Sequence, residues 1–124
     1  MNAKNCFMMN GVLWRIKFVS PGSRILTDPF GEPRLATTDP ISQTVYLSRS
    51  LDPQTQEVVF LHELGHCVLF SYGLVSEIRE AVRPELWSEA EEWICNFIAD
   101  YGQEIFQVAD DIMFVPQELD RLLA

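Results

Sequence analysis

Both histidines of this 124-residue chain fall within five consecutive residues, His62-Glu63-Leu64-Gly65-His66. Residues four apart share one face of an α-helix, so on a helix the two imidazoles can grip a single metal ion. Glu63 lies between them, where it can take a proton from a metal-bound water. The flanking residues are apolar nearly all round: Val58, Val59, Phe60, Leu61, Leu64, Val68, Leu69 and Phe70. A helix of that kind is buried on most sides. Two histidines and a glutamate inside it are costly unless satisfied, and a metal satisfies them.

Helix limits follow from the neighbouring residues. Asp52-Pro53 supplies a capping carboxylate and a proline at the first helical position. Gly73 marks the far end, so the spacing predicts a helix from Pro53 to about Tyr72. The segment before it reads as strands. Residues 12–19 alternate, with Trp14, Ile16 and Phe18 on one face, and residues 34–38 and 44–48 read as two more. A short strand is expected at 24–26, and residues 1–10 read as a loose arm. Beyond Gly73 the pattern predicts a short helix over 74–82. A long helix from Glu85 or Trp87 to about Phe106 follows, with Trp87, Ala90, Ile94, Phe97, Tyr101 and Ile105 as its core stripe. Short helices at 109–114 and 117–123 flank Pro116. The expected fold class is therefore α+β, a small antiparallel N-terminal sheet packed on a helical core. Residues 1–124 form one domain in this reading.

A water-activating metal site needs three protein ligands and one open position. With no third histidine, the third ligand must be carboxylate or thiolate. The metzincin extension demands Gly and His where Leu69 and Tyr72 stand, which excludes that class. Glu89, Glu91 and Glu92 on the second long helix are the natural candidates, and the plainer reading of each is a solvated acid at a helix start. Glu92, Asn96, Ala99 and Gln103 form one stripe, in which Ala99 permits close approach and Asn96 can support a ligand histidine. That favours Glu92, with Glu91 as the alternative. Cys67 and Cys95 lie in apolar segments and read as small core residues. Tyr72 and Tyr101 could offer a further donor but read more simply as core or rim aromatics. Gly65 permits close packing, or is a tolerated helix glycine.

Net charge is −9 and no cluster of Lys or Arg occurs, which argues against direct nucleic-acid binding. No apolar run reaches the length of a membrane span, and no secretory h-region follows the N-terminus. Three cysteines without such a signal point to reduced thiols in the cytoplasm.

The motif, together with Glu92-Trp93-Ile94-Cys95-Asn96-Phe97-Ile98-Ala99, resembles the ImmA/IrrE family of zinc metallopeptidases, of the gluzincin type. Members of that family carry Glu-x-x-Ala-Asn-x-Phe-Ala at the second segment; Glu92, Asn96 and Ala99 match, while Cys95 and Ile98 depart. The resemblance runs from about residue 41 to 101. It implies Zn²⁺ held by His62, His66 and Glu92, with Glu63 as catalytic base. It also implies a protein substrate, such as a transcriptional repressor, and an association with phages and mobile elements. The competing reading is a non-catalytic zinc-binding module that keeps the scaffold to bind a partner.

Overall fold

The computed structural model describes residues 5–123, with side chains described as far as Met113. Strand β1 (Cys6–Met9) and strand β2 (Val12–Val19) form a hairpin. Its turn is Asn10-Gly11, both with positive φ (49° and 77°). Asn-Gly is the preferred pair for such a turn, because its twist matches that of the strands. The expected loose arm is therefore a strand from Cys6 onward, specified by this dipeptide.

Strands β3 (Ala36–Asp39) and β4 (Thr44–Ser48) form a second antiparallel hairpin, and the sheet order is β1-β2-β4-β3. β2 and β4 run parallel, with Trp14's neighbour Arg15 opposite Thr44 and Val19 opposite Ser48. The α+β class holds, but the sheet is mixed rather than wholly antiparallel. The cause is the long connection after β2, which carries the chain past the β4 position and lays β3 at the outer edge. Residues Arg24–Leu26 in that connection form a single 3-10 turn instead of a strand, capped by Ser23 and pinned by the fully buried Leu26.

Helix α1 spans Pro53–Ser71. The Asp52 carboxylate accepts from the Thr55 N–H at 2.8 Å, and Gly73 closes the end at φ 67°. α1 lies on the sheet through a core of Trp14, Ala36, Val45, Leu47 and Cys67. The Trp14 indole N–H donates to the Ser71 hydroxyl at 2.8 Å, so the largest core side chain leaves no buried donor unpaired. Helix α2 is Leu74–Ala81.

Helix α3 runs unbroken over Trp87–Leu123, in place of a long helix and two short ones. Its buried residues, among those described, are Cys95 and Ala99; of the expected stripe, Trp87, Ala90 and Ile94 are half-buried. Phe97, Tyr101 and Ile105 are exposed. Close approach decides the rotation: α3 turns its small residues toward Gly65 of α1, which brings the acidic start of α3 over the histidines. Among the described residues, no single helix is long and apolar enough to cross a membrane.

Candidate metal centre

One turn of α1 sets the His62 and His66 rings 5.0 Å apart, with their Nε2 atoms at 3.3 Å. Across from them, the Glu92 carboxylate on α3 spans the pair. Its Oε2 lies 3.1 Å from His62 Nε2, and its Oε1 lies 3.1 Å from His66 Nε2. Two helices thus converge three donor groups on one point, and the closeness of α1 to α3 at Gly65 makes this possible. A Cβ built on Gly65 would stand 3.0 Å from Cys95 Sγ and 3.1 Å from Cys95 Cα.

Glu91 has a different place from its neighbour. Its Oε1 lies 2.8 Å from His66 Nδ1, on the far side of the ring from Glu92. A carboxylate there makes Nδ1 the nitrogen that keeps its proton and Nε2 the one whose lone pair is exposed when the ring is neutral. With both rings neutral, His62 Nε2, His66 Nε2 and the Glu92 oxygens face one another as electron-rich atoms within 3.3 Å, an arrangement that protons compensate in the metal-free chain and a metal cation can compensate in their place. The donor set therefore fits a metal ion. Ligand atoms of His62, Glu63 and His66 also lie within 4.8 Å of one another, a group that could hold one.

Glu63 points beside this cluster, buried, with Oε2 3.8 Å from His62 Nε2. Its other oxygen accepts from the Thr38 hydroxyl at 2.9 Å. Burial pushes its carboxyl above the ordinary range, against the Thr38 bond and the histidines, which pull it down. Hydrogen bonds from His62 and then His66 hold Glu92 well below that range. The Glu92 bond raises His62, with burial opposing. Burial acts most strongly on His66 and lowers it, yet bonds to Cys95, Glu91 and Glu92 together raise it.

Of the sequence candidates, His62, Glu63, His66, Glu91 and Glu92 come together, and Glu89 stays exposed outside the cluster. A thiolate ligand gains no support from Cys67, which is fully buried in the core between α1 and the sheet. The partner of His66 Nδ1 is Glu91 and not Asn96; Asn96 lines the adjoining cleft. Tyr72 and Tyr101 are exposed and do not line it. The sequence reading missed Thr38. An isolated threonine on a strand carries no motif, and only the register of β3 against α1 reveals it.

The cleft measures about 750 Å³ and lies over α1, between residues 34–38 on one wall and Glu91, Glu92 and Asn96 on the other. β3 is an edge strand. The Ser48 N–H donates to the Leu35 carbonyl, so alternation turns the backbone groups of Ala36 and Thr38 outward, toward the cleft. An open strand edge beside the cluster is a template for an extended peptide.

A protein-family model matches residues 20–101; it is a peptidase family described as the IrrE N-terminal-like domain. No match was found among curated proteins, and none among solved structures.

Proposed function

The chain belongs to the IrrE N-terminal-like peptidase family, and from that premise we propose that it is a zinc-dependent endopeptidase. The observation that carries the reading is the Glu92 carboxylate, 3.1 Å from both His Nε2 atoms, with the buried Glu63 beside them at the floor of an open cleft. His62, His66 and Glu92 would hold Zn²⁺, for which two imidazoles and a carboxylate are a suitable set. When bound, zinc would acidify a water and polarise the scissile carbonyl.

The chain's own groups do the rest. Glu63 takes the proton of the attacking water and passes it to the leaving amine; a carboxyl raised by burial suits that work. Thr38 fixes the rotamer of Glu63, and Glu91 fixes the ring of His66. The outward backbone groups of Ala36 and Thr38 pair with the substrate as an added strand, which holds its carbonyl over the cluster.

The substrate we infer is a protein presented as an extended segment in the cytoplasm, a transcriptional repressor or similar regulator by family resemblance. A general base has no use in a purely structural metal site, so Glu63 favours the enzyme over a non-catalytic module. The test is Glu63→Gln. The variant should bind zinc as the wild type does, by elemental analysis, and lose cleavage of a trapped protein substrate. Cleavage at the wild-type rate by this variant would overturn the mechanism.

A further inference from the structure

The outer part of α3 carries a second pattern that the metal site does not use. Ile98, Tyr101, Ile105, Val108 and Ile112 are spaced three and four apart in turn, with isoleucine at every seventh residue. That spacing places one apolar seam along a helix, the form in which helices pair side by side. Tyr101, Ile105, Val108 and Ile112 are 55%, 52%, 55% and 62% exposed. The inward face of α3 packs on α1 through Cys95 and Ala99, a different side of the helix from this seam. From Ile98 to Ile112 the seam runs about 21 Å. Single exposed apolar residues need no explanation, but a continuous strip of this kind marks a surface that something covers.

The flanks of the seam identify the chemistry of what covers it. Asp100, Glu104 and Asp111 lie along one side, and Gly102 and Ala109 along the other. Residues 97–113 hold four acidic side chains and no Lys or Arg. A second copy of the chain would bring an equal set of carboxylates against these, with no cation to meet them. A helix with basic residues beside its apolar stripe would meet them with opposite charge, and the small flank lets it approach closely.

We propose that this seam docks an amphipathic helix of a partner protein, apolar along one stripe and carrying Lys or Arg on one flank. The metal site and this surface lie on different sides of α3, so the inference stands apart from the peptidase reading. Ile105, Val108 and Ile112 also lie past residue 101, where the family match ends.

The probe is a synthetic three-heptad peptide with Ile and Leu at its core positions and Lys at its flanking positions, titrated against the full chain by fluorescence anisotropy. Two controls are the same peptide with Glu at the flanks and a scrambled peptide of the same composition as the Lys form. The Lys peptide should bind about tenfold or more tightly than either control, and weaken as salt rises. Ile105→Glu with Ile112→Glu should abolish that binding while far-UV circular dichroism and zinc content stay unchanged. Glu104→Lys with Asp111→Lys should reverse the preference toward the Glu peptide. Equal binding of the Lys and scrambled peptides would overturn the proposal, as would no binding at all. So would sedimentation of the free chain as a dimer that Ile105→Glu dissociates, since the occupant would then be a second copy.

Discussion

The Thr38 hydroxyl donates to Glu63 Oε1 at 2.9 Å, and so ties the outer strand of the sheet to the motif helix at its only buried acid among the described residues. One oxygen of Glu63 is thereby fixed, and the other is left facing the cluster. A base whose rotamer is set before substrate arrives loses no time or free energy to reorientation. Thr38→Val keeps the shape and removes the donor. We expect kcat to fall about tenfold, or about 1.4 kcal/mol, with KM and zinc content unchanged. Thr38→Ser should restore most of the rate. An unchanged kcat in Thr38→Val would remove Thr38 from the mechanism.

Glu91 and Glu92 are adjacent in sequence and reach opposite sides of one imidazole. Their roles separate by affinity. Glu91→Gln should weaken zinc binding by about 10–100-fold, because it removes a group that orients a ligand and not the ligand itself. Glu92→Gln should cost more, since it removes the negative charge of the carboxylate that faces both histidines and would itself bind the ion. Competition against a chelator of known affinity measures both. The reverse order of losses would exchange the two assignments.

The parts of this molecule that were legible in sequence are those written in local chemistry. His62, Glu63 and His66 sit at helical spacing; Asp52-Pro53 and Gly73 bracket α1; Cys67 and Cys95 are fully buried as small apolar residues. The stripe through Glu92 and Ala99 pointed to the carboxylate that lies 3.1 Å from both histidine Nε2 atoms. What failed depended on partners distant in the chain. The parallel pairing of β2 with β4 is set by where a long connection leaves β3, which no residue pattern states. The expected core stripe of α3 fails from Phe97 onward because size outweighs hydrophobicity. Phe97, Tyr101 and Ile105 have more apolar surface to bury than Cys95 and Ala99, but only small residues fit against Gly65. β1 is the exception: Asn10-Gly11 was a local hairpin signal that the reading passed over.

Gly65 makes the two-helix site possible and should not tolerate a side chain. An added Cβ meets the Cys95 backbone at 3.1 Å, a contact that only movement of α3 can relieve. Overpacking of this kind costs about 1–3 kcal/mol, and the better helix propensity of alanine returns about 1. Gly65→Ala should therefore lower the unfolding midpoint of the metal-free protein, by about 4 °C per kcal/mol of net loss. It should also weaken zinc binding, because Glu92 moves away with α3. A midpoint equal to or above that of the wild type would show that the helices have room to spare.

The charges around the cluster give the metal-free protein a pH dependence opposite in sign to that of zinc binding. Glu92 is depressed by its bonds to His62 and His66, so its contribution is present above its unfolded value of 4.5 and is lost as pH falls toward its folded value. His62 and His66 are raised, so their contributions are complete below 6.5 and are lost as pH rises through their folded values. Glu63 is raised by burial, and its ionisation removes stability as pH climbs above 4.5. The chelated protein should therefore be most stable between about pH 4.5 and about pH 6.5 and should weaken above that. Zinc requires the same histidines deprotonated, so its stabilising effect grows with pH. Unfolding midpoints taken with chelator and with zinc, from about pH 5.5 to about pH 8.5, should separate steadily as pH rises. A gap that is constant or narrows over that range would mean that His62, His66 and Glu92 do not hold the ion.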